Sequence, residues 1–271
     1  MLKHRIVFML LGCLLAASSA WAQFDHSHEA WTVLLKRHVV LIDGGKASQV
    51  RYDGFAKDRA ALRSYLESLS KVNEREFKGW SRDDQLAFLI NAYNGHMVEL
   101  ILTRYPTIKS VWDFGKLFNN PFKNRFFTLF GREFTLDMIE HDTIRARGVY
   151  DDPRIHMAVN CASIGCPMLR EEAYAAARLD KQLDEQVARF LSDRSRNRYN
   201  PAKNALEVSE VFKWYSVDFA SGLKGIKSRE QFFADYANAL ADNSEQQEII
   251  RDQKVEIRFL DYDWALNDAN R

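Results

Sequence analysis

A histidine, an amide and two thiols fall within eleven residues, His156-Met-Ala-Val-Asn160-Cys161-Ala-Ser-Ile-Gly-Cys166, and Pro167 follows. These are the types that nucleophilic acyl transfer needs: a sulfur to attack a carbonyl, an imidazole to take its proton, and a donor for the oxyanion. Proline is favoured at the first position of a helix, so the spacing predicts Cys166 at an N-cap. There the dipole and the free N–H groups lower a thiol pKa. On this reading Cys166 is the nucleophile, His156 the base and Asn160 an oxyanion donor. The same close pair is also a disulfide pattern in an oxidising compartment, and a Cys161–Cys166 bridge would shape the loop instead of reacting.

Glu140-His141 stands shortly before that segment. Glu140 is expected to hold His156 or His141 in one tautomer; the plainer reading is a surface helix on which His141 and Arg145 are i,i+4 neighbours. Asn91, Tyr93 and Asn94 place two amides inside an otherwise apolar stretch. Buried amides need partners, so they either tie their helix to neighbouring backbone or contact a ligand. His141, His156, Cys161 and Cys166 have zinc-ligand types, but no HExxH or CxxC spacing is present. Nor is there a GxSxG elbow or a glycine-rich phosphate loop. No metal and no cofactor is expected. Phe212-Lys-Trp-Tyr215 reads as core with a lysine that snorkels.

Several elements must position these groups. Arg154 to Asn160 reads as a strand, with Ile155, Met157 and Val159 on one face and His156 and Asn160 on the other. Ser81 with Asp84 three residues on reads as a capping box, opening a helix that runs to about Arg104 and is apolar on more than one face, so it belongs at the centre of a domain. Ala30 to Val40 reads as helix, stopped by Gly44-Gly45. Asp58 is expected to cap a second helix, Asn73 to Gly79 to be a loop, and Phe126 to Leu136 a hairpin around Gly131. Asp137 to Arg147 reads as helix. Leu179, Leu183, Val187 and Phe190 mark another, and a further one lies near Arg229 to Leu240. Asn197 to Lys203 reads as a polar loop, Ala205 to Val208 and Val255 to Leu260 as strands.

The 271 residues are 46% hydrophobic and 28% charged, which supports a sizeable core and excludes a disordered or fibrous chain. Lys and Arg number 38 against 37 Asp and Glu. That balance gives no field for nucleic acid. Lys3, His4 and Arg5, then an apolar run to Ala17, then Ala20-Trp21-Ala22, read as a secretory signal cut after Ala22. The rival is a lipoprotein cut before Cys13. Removing residues 1–22 takes Lys3 and Arg5 and no acid, leaving a net charge near −1. No later stretch is long enough to span a membrane. Residues 23–271 are expected to form one exported, periplasmic or secreted domain, α+β and helix-rich with a small sheet, with a distant papain-like arrangement as a fold-level analogy.

These segments together resemble the family called domain of unknown function 547. The matching stretches are Ala87-Phe-Leu-Ile-Asn-Ala-Tyr-Asn94, Ile139-Glu-His141, Asp152 to Cys161, Cys166-Pro167, Phe212 to Tyr215 and Tyr262-Asp-Trp264, spread from about Leu86 to Asn267. Two departures stand out. The family usually has Trp at the position of Leu89, and Ser-Cys-Pro-Pro where this chain has Gly165-Cys-Pro-Met168, so a mechanism that needs a serine hydroxyl beside Cys166 is weakened. The resemblance implies a fold and a motif and brings no activity with it. Two functional expectations follow from the residues. One is a thiol-dependent hydrolase or acyl transferase acting on a small amide, peptide or thioester, with Cys166, His156, Glu140 and Asn160 as its machinery and Asn91, Tyr93, Asn94, Cys161 and His141 around the substrate. The other is a non-enzymatic binding or assembly module held by a Cys161–Cys166 disulfide; its partner proteins are not readable.

Overall fold

The computed structural model describes residues 24–115 and 120–270. The expected leader and Cys13 lie outside them. A helix-rich α+β fold is built from α1 (Glu29–His38), β1 (Val39–Ile42), β2 (Ala47–Val50), α2 (Tyr52–Lys57), α3 (Arg59–Ser70), α4 (Glu74–Lys78) and α5 (Arg82–Leu102). Then come β3 (Phe127–Leu129), β4 (Arg132–Phe134), α6 (Leu179–Ser192), β5 (Arg198–Asn200), β6 (Ala205–Ser209) and α7 (Val211–Trp214). The chain closes with α8 (Arg229–Asp235), α9 (Ala237–Leu240), α10 (Ser244–Arg251) and β7 (Glu256–Leu260). β1–β2 and β3–β4 are antiparallel hairpins; β5 pairs antiparallel and β7 parallel with β6.

α5 is the axis. Ser81 Oγ accepts the Asp84 N–H at 3.1 Å, as the box pattern requires. From Leu86 to Val98 every residue is buried, because helices and turns cover α5 on all sides. α3 crosses closely at Gly95, where a Cβ would stand 2.9 Å from Leu66 Cδ2. Around α5 gathers one apolar core, with Trp31, Phe55, Leu62, Phe88 and Ile139. A second core holds Met157, Val187, Phe190, Phe212, Phe219, Phe232 and Phe233. α6 serves both: Leu179 and Leu183 face the first, and Val187, Phe190 and Leu191 the second. Among the described residues no helix is long and apolar enough to cross a membrane.

Several local expectations are corrected. Pro153–Met157 is a 3-10 helix, not a strand. Asp152 accepts the Arg154 N–H at 3.0 Å, and Pro153 takes the first helical position. The alternation misled because the polar residues there do not face water: Arg154, His156 and Asn160 are all buried with dedicated partners. No helix follows Pro167. Cys166 therefore caps nothing. Met138–Ile144 is a π-helix, with Asp137 making no side-chain cap. Asp58 does not cap α3 either, since its carboxylate is taken by Arg37 and His38. Asn73 caps a real helix, α4, in the expected loop. Gly44-Gly45 turns a hairpin, β1 to β2, and part of the polar loop after Asn197 pairs as β5.

Candidate active site

The cysteine loop is positioned by amides. On α5, Asn94 donates to Ala158 O at 2.9 Å and accepts the Asn160 N–H at 2.8 Å. One turn earlier Asn91 does the same with both backbone groups of Tyr174. Both amides thus stand in for a neighbouring strand, satisfying backbone that would otherwise be buried unpaired. Asn160 continues the series. Its Nδ2 donates to Pro167 O (2.8 Å) and its Oδ1 accepts the Ala162 N–H (3.0 Å), which closes the loop 161–166 on itself. Asn160, Asn91 and Asn94 thus each serve buried backbone, and none of them is among the residues lining the pocket beside the thiols. The loop is also pinned from outside. Ile164 and Gly165 donate to Ala265 O and Asp263 O, each at 2.8 Å. A Cβ at Gly165 would stand 2.9 Å from the Asp263 amide nitrogen. The serine that the resemblance expects there does not fit this chain without displacing that backbone.

Both cysteines are free thiols, so the bridge of the second expectation is not formed. They differ sharply. Cys161 is partly exposed and lies 3.0 Å from both Ser163 Oγ and Tyr262 Oη. Burial works to raise its pKa, but hydrogen bonds from Cys166, Ser163 and Tyr262 outweigh it and hold the thiol below its ordinary value. Tyr262 itself is pushed well above the usual phenol range by burial and by the neighbouring sulfurs. It therefore keeps its proton and donates. Cys166 is buried; its sulfur accepts the Cys161 N–H at 2.9 Å and stands 3.8 Å from Val159 O. Burial, with the Cys161 charge beside it, pushes Cys166 well up. The balance is thus opposite to the expected one: ionisation is favoured at Cys161 and disfavoured at Cys166. The reason is that Cys166 lacks the helix end that was to stabilise its charge, whereas Cys161 meets two hydroxyls.

His156 is fully buried and stacks on Tyr215, ring centres 3.8 Å apart at 20°. Its Nε2 lies 2.8 Å from Asp218 Oδ2, which also accepts from Arg145 Nε at 2.6 Å. Burial works to raise the Asp218 carboxyl, but His156 and Arg145 hold it far below the usual carboxylate range. An ionised carboxylate only accepts, so the Nε2 of His156 carries the proton. Burial lowers the imidazole pKa despite Asp218, leaving a neutral ring whose Nδ1 is unprotonated. Among the described residues that nitrogen has no hydrogen-bond partner. Neither ring nitrogen bonds a sulfur, so Cys166, His156 and Glu140 do not form the expected chain. Glu140 accepts from the Tyr215 hydroxyl at 2.9 Å and stands 3.9 Å from His141 Nδ1. It orients Tyr215, and Asp218 orients His156. Arg145 donates to His141 Nδ1 at 2.8 Å, so the plainer i,i+4 reading of that pair also holds.

Cys161, Cys166, His156, Glu140, His141 and Tyr93 are among the residues that line one pocket of ≈ 320 Å³, with Asp218 bonded to His156 from outside that lining. That is a volume for a small ligand. Its mouth is aromatic. Trp214, 43% exposed, stacks on Trp264 (5.7 Å, 21°), and Trp112 meets Trp264 edge-on at 5.1 Å. Phe212 and Tyr215 are split by this arrangement. Phe212 is core, as expected, while Tyr215 and Trp214 line the pocket. The π-helix lets Glu140 face inward, a use of the wider turn common at functional sites. His141, His156, Cys161 and Cys166 do not converge as metal ligands, nor does any other such group among the described residues.

Ser163 carries no sequence signal of its own, Asp218 only its spacing from Tyr215, and Arg145 reads from sequence only as the i,i+4 neighbour of His141. Asp218 follows Tyr215 by one turn, with its N–H bonded to Tyr215 O at 2.9 Å. That spacing is a signal, although only the fold brings it to His156. The class is therefore a helix-rich α+β protein with two thiols and a carboxylate-held histidine lining one aromatic-walled pocket. Residues 77–191 match the family described as Protein of unknown function, DUF547, the family the sequence resembles. The matched stretch contains both thiols, His156 and Glu140, and ends before Tyr215, Asp218 and Tyr262. No curated protein and no solved structure matches the chain.

Proposed function

We propose that the chain is a thiol-dependent hydrolase or acyl transferase acting on an amide or thioester, with Cys161 as its nucleophile. One observation carries this reading: the Cys161 sulfur, in a pocket of ligand size, lies 3.0 Å from each of two hydroxyls able to support a thiolate. The thiolate attacks a substrate carbonyl, forming an S–C bond. The tetrahedral intermediate then expels the amine or thiol, leaving an acyl-thioester on Cys161. Ser163 and Tyr262, relieved of the sulfur's charge as the bond forms, remain beside the reacting carbonyl as donors. His156, held in one tautomer by Asp218, offers Nδ1 to take a proton from the water or acceptor that releases the acyl group. Tyr93, Tyr215 and the tryptophans give the acyl chain apolar walls and exclude water.

The signal pattern of residues 1–22 supports export to a periplasm or the exterior, which the N-terminal sequence of the protein recovered from an osmotic-shock fraction tests directly: it should begin at Gln23. The activity is tested with a panel of short-chain and aromatic acyl thioesters and amides. Turnover that disappears in Cys161→Ala, with burst release of the first product in the wild type, is the expected result. Turnover that survives in Cys161→Ala would end the proposal.

A further inference from the structure

The backbone N–H of Cys161 points at Cys166 Sγ from 2.9 Å, and both cysteines line the same pocket. Their access is unequal. Cys161 is partly exposed at the pocket, and Cys166 lies beneath it at 5% exposure. The loop that carries both is held to the C-terminal segment at Ile164 and Gly165 and closed by Asn160, so the pair is kept together by bonds that involve neither sulfur. A solvent-facing sulfur backed by a buried second one is the arrangement in which thiol–disulfide exchange proceeds in two ordered steps.

We propose that Cys161 and Cys166 are a redox pair that exchanges electrons with a disulfide substrate, a chemistry distinct from acyl transfer that uses the same Cys161 sulfur. The Cys161 thiolate attacks one sulfur of an incoming disulfide, R–S–S–R. That S–S bond breaks, R–S⁻ departs, and Cys161 holds R in a mixed disulfide. Cys166 then yields its proton and attacks the Cys161 sulfur. The mixed disulfide breaks, the second R–S⁻ departs, and the Cys161–Cys166 bond remains. Two electrons leave the protein pair; the Cys166 proton and one proton from water complete two R–SH molecules. The reverse sequence, driven by a dithiol, regenerates the free pair. While the bridge exists, Cys161 has no free sulfur to offer a carbonyl, so oxidation also closes the acyl-transfer site.

The test uses the intact protein equilibrated in glutathione buffers of graded reduced-to-oxidised ratio, quenched in acid, alkylated and weighed. In the wild type both alkylation sites should vanish together over one two-electron transition. In Cys166→Ser a glutathione mixed disulfide should accumulate on Cys161; in Cys161→Ser, Cys166 should stay unmodified under native conditions. Two thiols that remain alkylatable at every ratio, sites that titrate separately, or a glutathione adduct on Cys166 would each overturn the proposal. Thioester turnover by the fully reduced wild type is read in parallel, so loss of one activity is distinguished from loss of the other.

Discussion

His156 Nε2 and Asp218 Oδ2 are 2.8 Å apart although 62 residues separate them in the chain. The pair joins the 3-10 turn before the cysteine loop to the segment after α7. It also settles the proton on the imidazole. With Arg145 on the same carboxylate, Asp218 stays ionised and the ring stays neutral, with Nδ1 left as its basic nitrogen.

Replacing Asp218 by Asn removes the charge that fixes this tautomer. Turnover should fall by about 100-fold or more, the usual scale of a general-base contribution, with KM changed much less. Stability should fall too, by less than the ~3–5 kcal/mol of a fully buried broken pair, because Asp218 keeps some contact with water. Steady-state kinetics beside a urea melt separates the two effects; unaltered turnover would remove His156 from the mechanism.

Asn94 ties α5 to the turn that leads into Cys161. In Asn94→Ala the carbonyl of Ala158 and the N–H of Asn160 are left buried without partners. At ~1–3 kcal/mol for each of the two orphaned groups, a loss of about 2–6 kcal/mol is expected in urea unfolding. A variant of wild-type stability that merely binds substrate less well would restore Asn94 to a ligand role.

His96 stacks on Phe127 at 3.8 Å with both ring nitrogens buried and without partners among the described residues. Burial pulls it down to about 3, and His28, also buried, to about 4, from an ordinary 6.5. The unfolded chain takes up these protons near pH 6.5 and the folded chain resists. Their contribution is therefore complete above 6.5 and drains away as the pH falls toward 4 and then 3, at up to ~1.4 kcal/mol per unit for each histidine. Glu172 and Asp180, both held at about 2, add to the loss only below the ordinary carboxylate range. His96→Phe keeps the stacked ring and removes the unpaired nitrogens. It should raise stability at pH 7 by about 1–3 kcal/mol and flatten the decline between pH 6.5 and 4.5, seen in Tm at several pH values. A lowered Tm at pH 7 would mean that the nitrogens have partners in solution.

Much of the scaffold is legible in local sequence. Ser81 and Asp84 announce α5, its unbroken apolar surface announces burial, Gly131 marks the β3–β4 turn, and the spacing of Leu179, Leu183, Val187 and Phe190 marks α6. Such signals are short-range and need no partner. The site is less legible because it is assembled from long-range pairs. Arg154, His156 and Asn160 alternate with apolar residues as a half-wet strand would, yet each finds a buried partner: Asp152 for the first, Asp218 for the second, the Pro167 carbonyl for the third. The choice between the thiols turned on Tyr262, about a hundred residues away, which no spacing rule connects to Cys161. The reading of Cys166 as thiolate rested on a helix after Pro167 that does not form.

The central claim is that Cys161 is the charged, accessible sulfur and Cys166 the buried, protonated one. Iodoacetamide labelling of the reduced native protein across a pH series, with peptide mapping of the adduct, tests it most directly. The account predicts one fast adduct, on Cys161, whose rate levels off above a midpoint lower than the ordinary thiol value of ~8.5. In Tyr262→Phe, which deletes one donor to the sulfur, that midpoint should rise. A first adduct on Cys166, or a rate that climbs through the ordinary thiol range as a free cysteine's does, would contradict it.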